Sequence, residues 1–135
     1  MKPIEGLSVL VTGGGSGIGE GIAQFYIERG AKGTICGRRQ DKIDAVAARL
    51  GERCLAVRAD ITNEEDRQEA VESAVMHGGK LDVLVSNAGN MLRGEIDTLK
   101  EDPLVDIFKT NVIAGMLLTG LCKPHLAKHG GAIIF

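Results

Sequence analysis

The sequence is poor in aromatic residues. Its 135 residues hold no Trp, one Tyr and three Phe, at Phe25, Tyr26, Phe108 and Phe135. So few rings cannot build a base-stacking platform for single-stranded nucleic acid. An excess of one charge is also missing. The 16 Lys and Arg stand against 18 Asp and Glu, a net charge of −2, which argues against a nucleic-acid or anionic-membrane surface. No apolar run approaches the ~20 residues of a bilayer span. The opening MKPIEGLSVLVTGGG has too short an apolar stretch before its glycines for a secretory signal. The three cysteines, Cys36, Cys54 and Cys122, are odd in number and far apart. They predict reduced thiols and a cytoplasmic protein, without a disulfide framework.

Glycine is abundant, with 19 in all. The glycines follow no three-residue period, which excludes collagen. With 44% hydrophobic and 25% charged residues, the chain is neither disordered nor fibrous. Its length fits a single domain, residues 1–135.

Short apolar runs alternate with amphipathic stretches. Residues 7–11 (LSVLV), 33–36 (GTIC), 54–57 (CLAV), 81–85 (LDVLV) and 132–135 (AIIF) read as strands. Runs that are apolar throughout fit burial on both faces. Ile18, Ile22 and Tyr26 mark a first helix ending near Gly30. Ile43, Val46, Ala47 and Leu50 mark a second, with Asp41 placed to cap it and Gly51 to stop it. Thr62 and Glu65 form a T-x-x-E capping box before a third helix carrying Ala70, Val71 and Ala74. Asp102 as cap and Pro103 in the first turn open a long helix to about Cys122, which Pro124 and Gly130-Gly131 end. The order β-α-β-α-β-α-β-α-β predicts an α/β fold, a doubly wound parallel sheet with helices on both faces. The last strand stops unfinished on Phe135. An apolar strand left at a sheet edge predicts that this is the front part of a longer protein, and that the piece alone behaves poorly through Ile133 and Ile134.

Residues 12–19 read TGGGSGIG and join the first strand to the first helix. A glycine-rich turn in that position lets backbone amides approach a pyrophosphate, and the helix N-terminus adds free N–H groups. Gly13, Gly15, Ser16, Gly17, Ile18 and Gly19 are the expected contacts.

This segment resembles the TGxxxGxG turn of the short-chain dehydrogenase/reductase family. Residues 86–89 (SNAG) resemble that family's NNAG motif after the fourth strand, and residues 109–115 (KTNVIAG) its Asn-bearing helix. Residues 130–135 (GGAIIF) are similar to the start of its fifth strand. The resemblance runs from about Leu7 to Phe135. It implies a Rossmann-type sheet of strand order 3-2-1-4-5. It also implies hydride transfer between a nicotinamide cofactor and a small-molecule alcohol or carbonyl substrate, and homo-oligomers built through the long helix.

The second strand ends on Cys36 and is followed by Gly37, Arg38 and Arg39. An acid here would favour NAD by accepting from the ribose 2′-OH, whereas arginine pairs with a 2′-phosphate. Arg38 and Arg39 therefore predict NADP, with NAD the less favoured cofactor. By resemblance, Asp60 contacts the adenine amino group and Ile61 packs beside the ring. Asp60 equally suits a turn-stabilising carboxylate. Asn87, Ala88 and Gly89 are expected against the adenosine ribose, where small residues allow close approach.

Leu104, Phe108, Asn111, Gly115, Leu118 and Cys122 step by three or four along the long helix, and Asn111 is the one strongly polar member. A buried amide needs partners. The resemblance makes Asn111 a catalytic residue that holds a water in a proton relay. The family's Ser and Tyr-x-x-x-Lys belong beyond the start of the fifth strand. The only tyrosine here is Tyr26, and Gly30 stands four residues on. The 135 residues thus offer a cofactor half-site without a proton donor, which predicts an inactive chain or, alternatively, a non-catalytic NADP-binding module. Cys122, His125 and His129 superficially suit zinc, but they lack a fourth ligand and flank a proline, so no metal is expected.

Overall fold

The computed structural model describes residues 2–135. Five strands form one sheet: β1 (Ser8–Thr12), β2 (Lys32–Gly37), β3 (Cys54–Arg58), β4 (Val83–Val85) and β5 (Ala132–Ile134). Their order is β3-β2-β1-β4-β5, with every neighbouring pair parallel. The expected Rossmann-type order is therefore present. Between the strands run α1 (Gly17–Glu28), α2 (Gln40–Leu50) and α3 (Glu64–Gly78). After β4 come α4 (Glu101–Phe108), a π-helical segment Lys109–Ile113, and α5 (Ala114–Ala127).

Strand alternation divides the core between the two faces of the sheet. Val9, Val11, Ile35, Val83 and Val85 pack with Ala23 and Ile27 of α1 and Ile43 and Val46 of α2. Leu10, Cys36, Val57 and Leu84 point the other way, onto Ala70, Val71 and Ala74 of α3 and Leu118, Cys122 and Leu126 of α5. The register sets Leu10 beside Leu84, and Val11 beside both Val85 and Ile35. Strands β1 to β4 are thus packed on both sides, as their apolar runs require, whereas Ala132–Ile134 of the edge strand β5 are exposed.

Several local expectations are corrected. The buried face of α1 is Gly19, Ala23 and Ile27, and Ile18 is 76% exposed. Small side chains at 19 and 23 let the helix close on the sheet, and the expected Ile22 and Tyr26 are half-buried against the same core while Ile18 turns outward. Asp41 lies inside the first turn of α2, whose cap is Arg39. The cap of α3 is Asn63, one residue past Thr62: its Oδ1 accepts from the Asp66 amide at 3.0 Å. Thr62 is engaged elsewhere, donating its hydroxyl to Asp60.

The long helix opens at Glu101, with Lys100 as its cap, so Asp102 and Pro103 both lie inside the first turn. It continues through Pro124 to Ala127, because Leu126 beyond the proline is anchored in the core. The run Glu101–Ala127 is long and apolar enough to cross a membrane by length and composition. That differs from the reading that no run comes close. Here its Ala114, Leu118, Cys122 and Leu126 are buried against the rest of the fold. The π segment adds a residue to one turn, and at 3.6 residues per turn this rotates the flanking helices by about 100°. Hence the predicted apolar stripe breaks: Gly115, Leu118 and Cys122 are buried, whereas Phe108 is 58% exposed and Asn111 lies on the surface.

Candidate cofactor site

The glycine turn leaves the C-terminal end of β1 at the centre of the sheet, where connections diverge to opposite faces. The Gly13 and Gly14 amides both donate to the Cys36 carbonyl, at 2.9 and 3.2 Å, which ties the turn to β2. Beyond them, the amides of residues 15–19 find no acceptor among the described residues, and Ser16 caps α1 without a side-chain bond. A row of free N–H groups at a helix N-terminus is an anion site by construction. Gly19 is required by close approach. A Cβ there would lie 2.2 Å from the Gly13 carbonyl oxygen and 2.6 Å from Asn87 Nδ2.

Thr12, fully buried, organises the neighbouring wall. Its Oγ1 accepts from the Asn87 amide at 3.0 Å and the Ala88 amide at 2.9 Å. Asn87 Nδ2 donates back to the Thr12 carbonyl at 3.1 Å. Asn87 therefore stitches β4 to β1, while Ala88 and Gly89 line the cleft. Thr12 and this stitching were outside the sequence-based site, though its place at the end of an apolar strand was the available signal.

Two clefts adjoin. The first runs between Gly13 and Gly37, Ala59, Asp60 and Ile61, and Ala88, Gly89, Asn90 and Thr110. The second lies between Gly13, Gly15 and Ser16 on one side and Arg38, Arg39 and Lys42 on the other. Gly13, Gly37 and Arg38 belong to both. Asp60 Oδ1 accepts from the Thr62 hydroxyl at 2.7 Å and the Thr62 amide at 3.0 Å, and Oδ2 has no partner among the described residues. The Thr62 hydroxyl, opposed by partial burial and helped by the Thr62 amide, Arg38 and Arg58, holds the Asp60 carboxyl below its usual range. Asp60 is thus both a turn-stabilising carboxylate and a lining group with a free oxygen. Arg67, buried on α3, donates to the Ile61 carbonyl at 2.8 Å and holds this wall from beneath. A charged residue in helical step with Ala70, Val71 and Ala74 was its sequence signal.

Asn111 faces Asn90 at the rim of the first cleft. Its Oδ1 accepts from the Asn90 amide at 2.7 Å and its Nδ2 donates to the Asn90 carbonyl at 2.8 Å. The expected site residues on the turn, Arg38, Asp60, Ile61, Ala88 and Gly89 are brought together. Gly17 and Ile18 sit at the exposed start of α1, and Asn111 is displaced to the rim. Cys122 is fully buried in the core, which pushes its thiol up to about 12.

The model of the short chain dehydrogenase family matches residues 8–135, and the chain belongs to that family. It is 32% identical over 141 residues to the 3-phenylpropionate-dihydrodiol/cinnamic acid-dihydrodiol dehydrogenase of Escherichia coli, a match covering 100% of this chain and 52% of that protein. The structure of 3-ketoacyl-(acyl-carrier-protein) reductase from Brucella melitensis complexed with NADH is similar with a TM-score of 0.90 at 38% identity, over 94% of this chain and 53% of the other. A short-chain dehydrogenase/reductase of unknown function from Caenorhabditis elegans, solved with cofactor, gives 0.86 at 30% identity, over 98% and 52%. The chain spans about half the length of the relatives it matches.

Proposed function

We propose that this chain is the cofactor-binding part of an NADP(H)-dependent oxidoreductase acting on an alcohol or carbonyl substrate. The observation that carries the reading is the junction of the two clefts at Arg38. One offers a carboxylate oxygen and small residues, and the other offers cations beside free backbone amides. Bound there, a nicotinamide dinucleotide would supply the hydride acceptor or donor. The amides of residues 15–19 suit the pyrophosphate. Asp60 Oδ2 suits an amino-group donor on the adenine, with Ile61 against the ring. Arg38 and Arg39 suit a 2′-phosphate, and no carboxylate lines the second cleft, where the two meet. The NADH held by the Brucella reductase supports a nicotinamide cofactor. The preference for the phosphorylated form rests on the arginines.

A specific observation favours a second reading, a binding module without turnover. The one tyrosine, Tyr26, packs in α1 in edge contact with Phe25, ring centroids 5.7 Å apart, and belongs to neither cleft. Calorimetry with NADPH, followed by oxidation assays on a carbonyl panel, separates the readings. Both readings expect the 135-residue chain to bind NADPH, and absence of binding sinks both. NADPH consumption by the full-length gene product supports the oxidoreductase, and binding without consumption by that product supports the module. Exposed Val105, Phe108, Val112, Ile113, Met116 and Leu117 along one helical run support a homo-oligomer. Sedimentation that shows only monomer at micromolar concentration would count against it.

A further inference from the structure

The second cleft holds a cation that the arginine pair does not account for. Lys42 lies in the first turn of α2 and lines this cleft together with Arg38, Arg39 and Ser16. Its position is set by the glycine turn. A Cβ at Gly15 would stand 3.4 Å from Lys42 Cβ and 3.2 Å from Ile43 Cγ2, so the start of α2 packs directly against the turn. Ile43, 1% exposed, anchors the neighbouring position in the core and fixes the direction in which Lys42 leaves the helix.

Nearby charges are already matched, and Lys42 is not. Arg49, one cleft further along α2, is taken up by Glu20 at 2.7 Å and Gln24 at 3.1 Å. Arg58 is paired with Asp66 at 3.5 Å. Among the described residues the Lys42 side chain has neither an ion pair nor a hydrogen bond. No Asp or Glu lines the second cleft, and Glu20, which shares the adjoining cleft with Lys42, is taken by Arg49. A solvated lysine flanked by two arginines raises the local positive potential, and an anion entering the cleft relieves that repulsion. A phosphate has enough acceptor oxygens for all three cations, where a ribose hydroxyl has one.

Resting on the NADP(H) reading above, we infer that Lys42 is a specificity-determining residue, a third cationic contact for the 2′-phosphate. It acts on the phosphorylated ribose and not on the adenine or the pyrophosphate, which the turn and Asp60 serve.

The test titrates the 135-residue chain with adenosine 2′,5′-bisphosphate and with 5′-AMP, which differ by the phosphate in question. The wild-type chain, Lys42→Met and Lys42→Arg are compared, with circular dichroism melts as the folding control. Lys42→Met should lose roughly tenfold in affinity for the bisphosphate and keep its affinity for 5′-AMP, with an unchanged melt. Lys42→Arg should keep the wild-type ratio within about threefold, since the charge is retained. If Lys42→Met keeps the wild-type ratio, or loses both ligands equally, the inference about Lys42 fails while the NADP(H) reading stands. If the wild-type chain itself does not distinguish the two nucleotides, both fail.

Discussion

Asn111 and the backbone of Asn90 form a reciprocal pair, with hydrogen bonds of 2.7 and 2.8 Å running in opposite directions. The pair spans from the π segment of the long helix to the loop after β4, and Asn90 lines the first cleft. A π segment is a common way to aim one side chain out of a helix. Here it presents Thr110 to the cleft and Asn111 to the loop. Asn111 acts through Asn90, so we treat it as a positioning residue whose amide sets the cleft rim. Asn111→Leu removes both bonds and should lower stability by about 1–3 kcal/mol, at 0.5–1.5 per bond. Adenosine-nucleotide affinity should fall several-fold. Urea melts and calorimetry on one preparation check both, and an unchanged affinity would contradict the positioning role.

Thr12 is the stability determinant beside the site. Thr12→Val keeps the shape but removes the acceptor shared by the Asn87 and Ala88 amides. Asn87 retains the Val85 carbonyl at 3.1 Å, so the half-buried Ala88 amide is the donor left unpaired, at roughly 1–3 kcal/mol. Thr12→Ser keeps the acceptor and should recover most of that loss. A valine variant that melts like the wild type would show that those amides find other partners.

Gly19 tests the close approach of α1 to the turn. Gly19→Ala places a methyl 2.2 Å from the Gly13 carbonyl oxygen, so the backbone must shift. Loss of nucleotide binding is expected, together with a lower melting temperature. Gly21→Ala, where an added Cβ meets nothing within 4 Å, is the matched control and should be neutral or stabilising.

The thiols give a pH dependence of known sign. Burial pushes Cys36 and Cys122 up to about 12 and Cys54 up to about 11. In the unfolded chain a thiol ionises near pH 8.5. The folded state therefore holds more protons between that pH and about 12, and stability is lost as pH rises through this window. Thermal melts should be level from pH 7 to 8 and fall steadily above 9. The native chain should resist alkylation at pH 8 and react on unfolding, whereas rapid native labelling would contradict the buried thiols.

Much of the fold was legible because its signals are local. Apolar runs of strand length, the glycine turn and the alternation of elements all follow from short-range sterics and burial. What the sequence hid depends on neighbours. Asn63 caps α3 in place of Thr62 because Asp60 recruits the threonine hydroxyl. Pro124 fails to end its helix because Leu126 is anchored beyond it. Asn111 left the buried stripe because a single inserted residue re-aims a helix, and regular periodicity cannot register that. Of the residues that line the two candidate clefts, the turn, Arg38 and Asp60 follow from motif and position. Lys42, Thr12 and Arg67 matter through distances to other elements, which no spacing along the chain encodes.

The cations opposite the glycine turn should give this chain a preference for a phosphorylated cofactor. Its most direct test is the ratio of NADPH to NADH affinity, measured by calorimetry on the 135-residue chain at fixed ionic strength. Salt must be held constant because exposed charges are screened within about 10 Å at 0.1 M. NADPH should bind at least tenfold more tightly, a difference of about 1.4 kcal/mol, and Arg38→Leu should remove most of it. Equal affinities, or a preference for NADH, would contradict it.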